Sequence, residues 1–335
     1  MKAIIPTAGK GTRLYPHTHT KPKPMVRLAG RPILGHILSS FAETNVETVV
    51  LVVGGPMQSQ IVEYAETTFG DRFEFEFVEQ ESAEGLGHSI YQAEEVTRGD
   101  DVIIALGDML FQNGYRTFLQ ANRDSSTTQG TIGVKPVEEP QHYGIVELSD
   151  GRISRLVEKP EEPPSDLAIS GVYIIEDTPA LFDALEYLVE NDVRGAGDEY
   201  QLTDALNRMV EQDTELGTFE VDDWYDCGRS ETLLQANQIL LDDLDTDGIE
   251  SLSDTVLIEP VDIGDDVTLE SSVIGPHVSI DDGAEVKQSI VKDSIIGRES
   301  EISDINLRHS IIGDSTHVVG KPNTLDIGDN SSINL

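Results

Sequence analysis

The chain has 335 residues and 38% hydrophobic content, enough for one large domain or two with a real core, and its 62 acidic against 23 basic residues give a formal charge of −39 spread along the whole length. That balance excludes a nucleic-acid-binding surface. Cys227 is the single cysteine, so no internal disulfide is available, and no apolar run is long enough to span a membrane. Met1-Lys2 leads into only a strand-length apolar run, so no signal peptide is expected and a cytoplasmic location is. A surface this acidic repels itself in dilute buffer and is expected of a protein of a high-salt cytoplasm, the alternative being an ordinary acidic protein.

The chain opens on an apolar run, Ala3 to Ile5, that breaks into a loop holding Gly9, Gly11, Arg13, Lys21 and Lys23 before an apolar pattern resumes at Pro32. This reads as a strand feeding a glycine-rich, cationic loop. Glycines let backbone N–H groups approach a ligand without Cβ interference, and Arg and Lys supply charge for phosphate oxygens, so an anion is the expected guest. Two generic glycine loops fail here: a dinucleotide fingerprint needs glycine where Leu14 stands, and a P-loop needs Gly-Lys-Ser/Thr, which is absent.

Segments 32–45 and 57–69 have helical spacing, 48–53 and 73–78 read as strands, and a helix over about 87–96 precedes a strand over 102–106. Such alternation with apolar strands predicts a parallel sheet covered on both faces, with ligands beyond the carboxyl ends of the strands. The strand over 102–106 ends in Gly107-Asp108, a carboxylate placed where a phosphate or metal could be met, although Asp there is also a turn former or helix cap. A polar segment from Glu79 to Gly87 precedes a helix start. After a helix near 115–121 come strands at 131–135, 143–148, 153–158 and 167–175, with Asp150-Gly151 as a hairpin turn, then helices at 179–189, 201–212 and 231–241.

Gly9-Lys10-Gly11-Thr12-Arg13-Leu14 followed by Pro22-Lys23-Pro24-Met25 resembles the signature of the sugar-1-phosphate nucleotidylyltransferases, the enzymes that make nucleotide sugars. The resemblance implies an α/β fold, a Rossmann-like (GT-A-like) mixed sheet. It implies that Ala8, Gly9, Gly11, Thr12 and Arg13 bind the nucleotide, with Arg13 and Lys23 on its triphosphate. Gln80 and Gly85 stand at the spacing by which the pyrimidine-using members hold the base, and a Gln offers both donor and acceptor; UTP and dTTP both stay open. Asp108 and Asp226, the latter in Trp224-Tyr225-Asp226-Cys227-Gly228, are implied ligands of Mg²⁺, which prefers oxygen and commonly takes one or two carboxylates plus substrate phosphates. Cys227, where relatives carry Thr, is expected to be a small packed residue, and Met109 stands where relatives often carry Asn. Tyr143-Gly144 and Glu158-Lys159-Pro160 match the family's Y-G and E-K-P pieces, which implies Gly144 and Glu158 on sugar hydroxyls and Lys159 on the sugar phosphate. Arg194-Gly195 through Glu199 to Thr203-Asp204 is similar to the family's R-G-E-x-x-[IL]-T-D segment with two extra residues, and Arg194 is a candidate phosphate contact.

The implied reaction joins dTTP or UTP to a sugar-1-phosphate, glucose-1-phosphate foremost, and releases pyrophosphate, with Arg13, Lys23, Asp108 and Asp226 as the catalytic set. From Leu241 the composition shifts. Residues 242–254 read as an acidic linker after a domain of 1–241, and over 255–335 small apolar residues such as Ile263, Leu269, Ile274, Ile280, Val286 and Val291 recur five or six apart. Ile-Gly recurs from Ile263-Gly264 to Ile327-Gly328. Such a period indicates stacked β-helix coils and resembles the left-handed β-helix of hexapeptide-repeat proteins. A short β-helix has an open end that wants covering, so a homo-oligomer is expected. Two alternatives remain: a bifunctional chain whose tail transfers acetyl groups, with His277, His309 and His317 as candidate bases, or a scaffold without chemistry. Joint retention of Arg13, Lys23, Asp108, Lys159 and Asp226 argues against the scaffold.

Overall fold

In the computed structural model, which describes residues 1–125, 129–222, 224–244 and 254–321, the chain divides into two units. The first takes Met1–Val26 and Arg31–Thr232, the second Arg27–Gly30 and the chain from Leu233. Most of the expected linker, 245–253, and the last Ile-Gly pair, Ile327-Gly328, lie outside the described residues.

In chain order the elements are β1 (Lys2–Pro6), β2 (Arg27–Leu28), β3 (Arg31–Pro32), α1 (Ile33–Ala42), β4 (Thr48–Val53), α2 (Gln58–Phe69), β5 (Glu74–Glu79), α3 (Leu86–Tyr91), α4 (Glu94–Thr97), β6 (Val102–Ala105) and β7 (Met109–Phe111). They continue with α5 (Gly114–Asp124), β8 (Gly130–Pro136), β9 (Gly144–Ser149), β10 (Arg152–Glu158), β11 (Leu167–Ile175), α6 (Thr178–Glu190), α7 (Leu202–Glu211), β12 (Gly217–Glu220), β13 (Trp224–Asp226) and α8 (Ser230–Asp242).

The apolar pattern explains the placements. In α1, Ile33, Leu34, Ile37, Leu38 and Phe41 fall on one face and are all buried. β1 and β4 are nearly continuous apolar runs and lie inside the sheet, whereas β5 alternates Glu with Phe and sits at its edge. Strands β5, β4, β1 and β6 are parallel neighbours. The antiparallel half begins where β11 pairs with β6, and β11 also pairs with β8 and β9. β10 closes on β9, and β12 lies parallel to β8. The sheet is therefore mixed. The register of β11 against β8 shifts between Ile169 and Tyr173, around Gly171 at φ 86°, a bulge that bends the strand between its partners.

The helix expected over 87–96 is two pieces. Ala93 N–H bonds to Ile90 O at 2.9 Å, tightening the turn after α3, and α4 restarts at Glu94. α6 is capped by Asp177, whose carboxylate accepts from the Ala180 N–H at 3.1 Å, with a proline in its first turn.

The second unit stacks three parallel four-stranded sheets, with strands at 256–257, 273–274, 290–292 and 306–308 in one, at 261–263, 278–280, 294–296 and 311–312 in the next, and at 268–270, 285–287, 301–303 and 317–319 in the third. This is a small parallel β-helix, as the repeat predicts. Its interior is a column of Val261, Leu269, Ile274, Val278, Ile280, Val286, Val291, Ile296 and Ile302. Corners fall at Asp266, Ser271, His277, Gln288, Asp293, Glu299, Asp304, His309 and Ser315, all with φ between 47° and 58°. The left-handed conformation at each corner accounts for the five-or-six spacing: one inward residue, one corner, one new face. Arg27–Gly30 belongs to this unit. Ala29 N–H donates to Asn237 Oδ1 at 2.8 Å, and Arg27 Nε lies 2.6 Å from Asp281 Oδ2.

Candidate active site

The site is built at the carboxyl ends of β1, β5 and β6. Thr7, just past β1, donates both its N–H and its hydroxyl to Val52 O at 2.8 Å each, pinning the loop's start to β4. Gly11 then turns the chain at φ 60°, and a Cβ there would stand 3.0 Å from Thr18 Cγ2 and 3.1 Å from Lys23 Cβ. Thr18 Oγ1 donates to Gly11 O at 2.9 Å, and Leu14 is fully buried, so the loop is tethered from below. Arg13 is exposed and makes no hydrogen bond or ion pair among the described residues.

Two carboxylates arrive from far apart in sequence. β7 and β13 form a two-stranded antiparallel ribbon pairing Met109 with Asp226 and Phe111 with Trp224. Cys227 N–H bonds to Asp108 O at 2.9 Å, so the ribbon holds Asp108 beside Asp226. Lys23 Nζ pairs with Asp108 Oδ2 and lies 3.9 Å from Asp226 Oδ1, and the lysine side chain is only 11% exposed. Asp226 Oδ1 is buried without a hydrogen-bond partner among the described residues. Thr232 donates its hydroxyl to the Asp226 backbone carbonyl, fixing the turn into α8. Cys227 is fully buried, and burial pushes its thiol well above the usual range, with Asp108 adding to the rise; it packs and does not present a thiolate.

These carboxylates suit a hard divalent cation. They already face one cation, the Lys23 ammonium, and an unpartnered buried carboxylate oxygen is a ready ligand. Among the described residues no group of three or more His, Cys, Asp or Glu is placed to hold a metal ion.

Gln80 follows β5, is 5% exposed, and is held by its N–H bond to Val53 O at 2.8 Å. Gly85 has φ 111°, and a Cβ there would lie 2.5 Å from Tyr200 O. That closeness comes from backbone pairing: Tyr200 N–H donates to Glu84 O and Gly87 N–H to Tyr200 O, both at 2.8 Å. Ala8, Gly9, Gly11, Thr12, Arg13, Lys23, Gln80, Gly85 and Asp108 all line one open cleft of about 510 Å³, a size suited to a small-molecule ligand.

Tyr143, Gly144, Glu158, Lys159 and Arg194 are not part of that lining. Gly144 pairs with Glu158 across β9 and β10, and a Cβ on Gly144 would meet Glu158 Oε2 at 2.9 Å. Glu158 Oε2 accepts from Thr203 Oγ1 at 2.7 Å, while Lys159 Nζ lies 3.2 Å from Glu158 Oε1. Lys159 N–H donates to Tyr143 O at 2.9 Å, so the Y-G and E-K-P pieces are neighbours. Arg194 is held elsewhere, donating to Glu84 at 2.8 Å, Asp192 at 2.7 Å and Tyr200 Oη at 3.0 Å, and stacking over the Tyr200 ring at 4.2 Å. The sequence motifs include Gly107 and Gly228 without assigning them a role; a Cβ on Gly107 would lie 2.6 Å from Pro6 O, and Gly228 is crowded by Asp226. Both stand in the motifs quoted above, Gly107 directly before Asp108 and Gly228 two residues after Asp226.

Of the tail histidines, His277 has both ring nitrogens engaged, Nε2 at 3.0 Å from Asp242 and Nδ1 at 3.3 Å from Asp293, and His317 Nδ1 lies 3.0 Å from Glu301.

Residues 2–243 match a family model described as nucleotidyl transferase. The chain is 29% identical to a low-salt glycan biosynthesis nucleotidyltransferase of Haloferax volcanii, an alignment covering 100% of both chains. It is 30% identical to glucose-1-phosphate thymidylyltransferase of Streptomyces antibioticus, covering 100% of this chain and 99% of the relative. Among solved structures, UDP-glucose pyrophosphorylase complexed with UDP-glucose superposes with a TM-score of 0.61 at 26% identity, over 72% of this chain and 99% of that one.

Proposed function

Since this chain belongs to the nucleotidyl transferase family, we propose that it joins a pyrimidine nucleoside triphosphate, dTTP or UTP, to a sugar-1-phosphate and releases pyrophosphate. Glucose-1-phosphate is the favoured acceptor, in keeping with the similar thymidylyltransferase and pyrophosphorylase. The observation that carries the reading is one cleft lined by a glycine loop with Arg13, by Gln80 and Gly85, and by Lys23 with Asp108.

The glycine loop and Arg13 hold the triphosphate, and Gln80 with Gly85 holds the base. Tyr143, Gly144, Glu158 and Lys159 hold the sugar phosphate, while Arg194, tied to Glu84 and Asp192, would reach a phosphate only by leaving those partners. Asp108 and Asp226 would hold Mg²⁺, which when bound would neutralise phosphate charge. A phosphate oxygen of the sugar-1-phosphate attacks the α-phosphorus in line, the bond to the β-phosphate oxygen breaks, and pyrophosphate leaves. A sugar phosphate is already ionised at neutral pH, so no general base is needed. The protein's share is alignment and fixed positive charge from Arg13, Lys23 and Lys159.

No helix among the described residues is long and apolar enough to cross a membrane. In this proposal the chain acts in the cytoplasm as a homo-oligomer, with the β-helix as packing surface. The test is pyrophosphate release in molar KCl with Mg²⁺ across a panel of nucleoside triphosphates and sugar-1-phosphates. Turnover with UTP or dTTP and glucose-1-phosphate is expected, and no turnover with any pair defeats the reading.

A further inference from the structure

The base end of the cleft contains a hydrogen-bond relay. The Gln80 amide nitrogen lies 2.9 Å from His88 Nδ1, and across the ring His88 Nε2 lies 3.2 Å from Gln92 Nε2. A neutral imidazole has one N–H and one in-plane lone pair, so its two flanking amides cannot both donate to it. Gln92 decides the matter, because its Nε2 also donates to the backbone carbonyl of His88 at 3.3 Å. A carbonyl only accepts, and turning the Gln92 amide would set oxygen against oxygen. Gln92 is therefore the donor at Nε2, Nδ1 carries the proton, and the Gln80 group facing it must be Oε1. A half-turn of the Gln80 amide exchanges Oε1 with Nε2 and moves no other atom. The Gln80 NH₂ is then directed away from the imidazole. Gln80 lines the cleft beside Ala83, Gly85 and Leu86, whereas His88 and Gln92 are not part of the lining.

We propose that His88 is a positioning residue for nucleotide choice. Its Nδ1–H holds Gln80 Oε1 and commits Gln80 to present N–H donors to the base. A base carrying a carbonyl oxygen at that edge, as uracil and thymine do at C4, is accepted. Cytosine, with an amino group there, meets donor with donor and is refused. The inference rests on the proposed pyrimidine nucleotidyl transfer with Gln80 at the base.

The experiment compares kcat/KM for UTP and CTP, with glucose-1-phosphate, in the wild type and in His88→Leu, His88→Asn and Gln92→Leu. Leu has no ring nitrogen to hold the amide. Asn offers an N–H near the place of Nδ1. In His88→Leu the UTP-to-CTP ratio falls about tenfold or more, the scale of one buried hydrogen bond made or reversed, through KM rather than kcat. His88→Asn restores part of the ratio. Gln92→Leu, outside the cleft lining, also lowers it by freeing the tautomer, and it carries the test should His88→Leu fail to fold. A wild-type ratio in Gln92→Leu or in folded His88→Leu overturns the proposal, as does a loss in His88→Asn equal to that in His88→Leu. No wild-type turnover of any pyrimidine triphosphate overturns the base assignment and this proposal together; UTP turnover with unmoved ratios overturns the positioning role alone.

Discussion

Gly228 and Asp226 approach so closely that only hydrogen fits on the Gly228 α-carbon: a Cβ there would stand 2.6 Å from Asp226 Oδ1 and 2.9 Å from Lys23 Nζ. Both crowded atoms end flexible side chains, so the fold can yield while the chemistry bears the loss. Gly228→Ala is expected to lower kcat by about a hundredfold, the scale of a misplacement of about 1 Å. Overpacking at this buried position costs at most about 1–3 kcal/mol in a urea titration. Pyrophosphate release at the wild-type rate would show that the carboxylate's place is immaterial.

Asp108→Asn and Asp226→Asn each keep the shape and remove the charge, and each should reduce turnover on the order of 10²–10³-fold or more. Their stabilities should differ. Asp226 Oδ1 has no hydrogen-bond partner among the described residues and only a 3.9 Å approach to Lys23, so Asp226→Asn costs little stability, whereas Asp108→Asn gives up the closer pair with Lys23. Calorimetry beside the pyrophosphate assay separates the two effects, and full activity in either variant removes that residue from the cation pair.

The tie across Arg194 is pH-sensitive. Glu84 is held below the usual carboxylate range by hydrogen bonds from Ser82 and then Arg194, and Asp192 by those from Arg194 and then Tyr200. A depressed folded pKa contributes stability that is present above the unfolded value and lost as pH falls through the folded one. Amide protection at Gly87 and Tyr200, corrected for intrinsic exchange, should therefore hold above about pH 5 and decline below it. Arg194→Met should flatten that decline, and an unchanged profile in the variant would detach the loop's order from the arginine.

At −39 the chain's self-repulsion is long-ranged in dilute salt and short-ranged in molar salt. Thermal melting should rise by about 10 °C or more between tens of millimolar and molar KCl. A flat curve would mean that the acidity serves another purpose.

Much of the cleft was legible in the sequence because its parts are local: the loop around Gly9 and Gly11, the strand end at Gly107-Asp108, and the polar stretch through Gln80 and Gly85. The ribbon of β7 and β13 was not. Each strand has three residues, too few for any period to register, and each exists only because the other lies beside it. β12, four residues long, was hidden for the same reason. The family resemblance implies Lys23 on a triphosphate, and only the fold sets its ammonium against Asp108 and Asp226 as well. Arg194 could be named from its motif, but its ties to Glu84 and Asp192 depend on a loop path that no pattern encodes. The β-helix was readable in advance because each coil repeats one local rule.

The three-residue ribbon also sets an order of events during synthesis. The glycine loop, Gln80, Gly85 and Asp108 have all left the ribosome more than a hundred residues before Trp224–Asp226 does. A nascent chain thus holds the residues of the glycine loop and of Gln80 and Gly85 while the second carboxylate does not yet exist. Within the first unit β13 is the last strand to emerge, and it brings the second carboxylate of the pair beside Lys23.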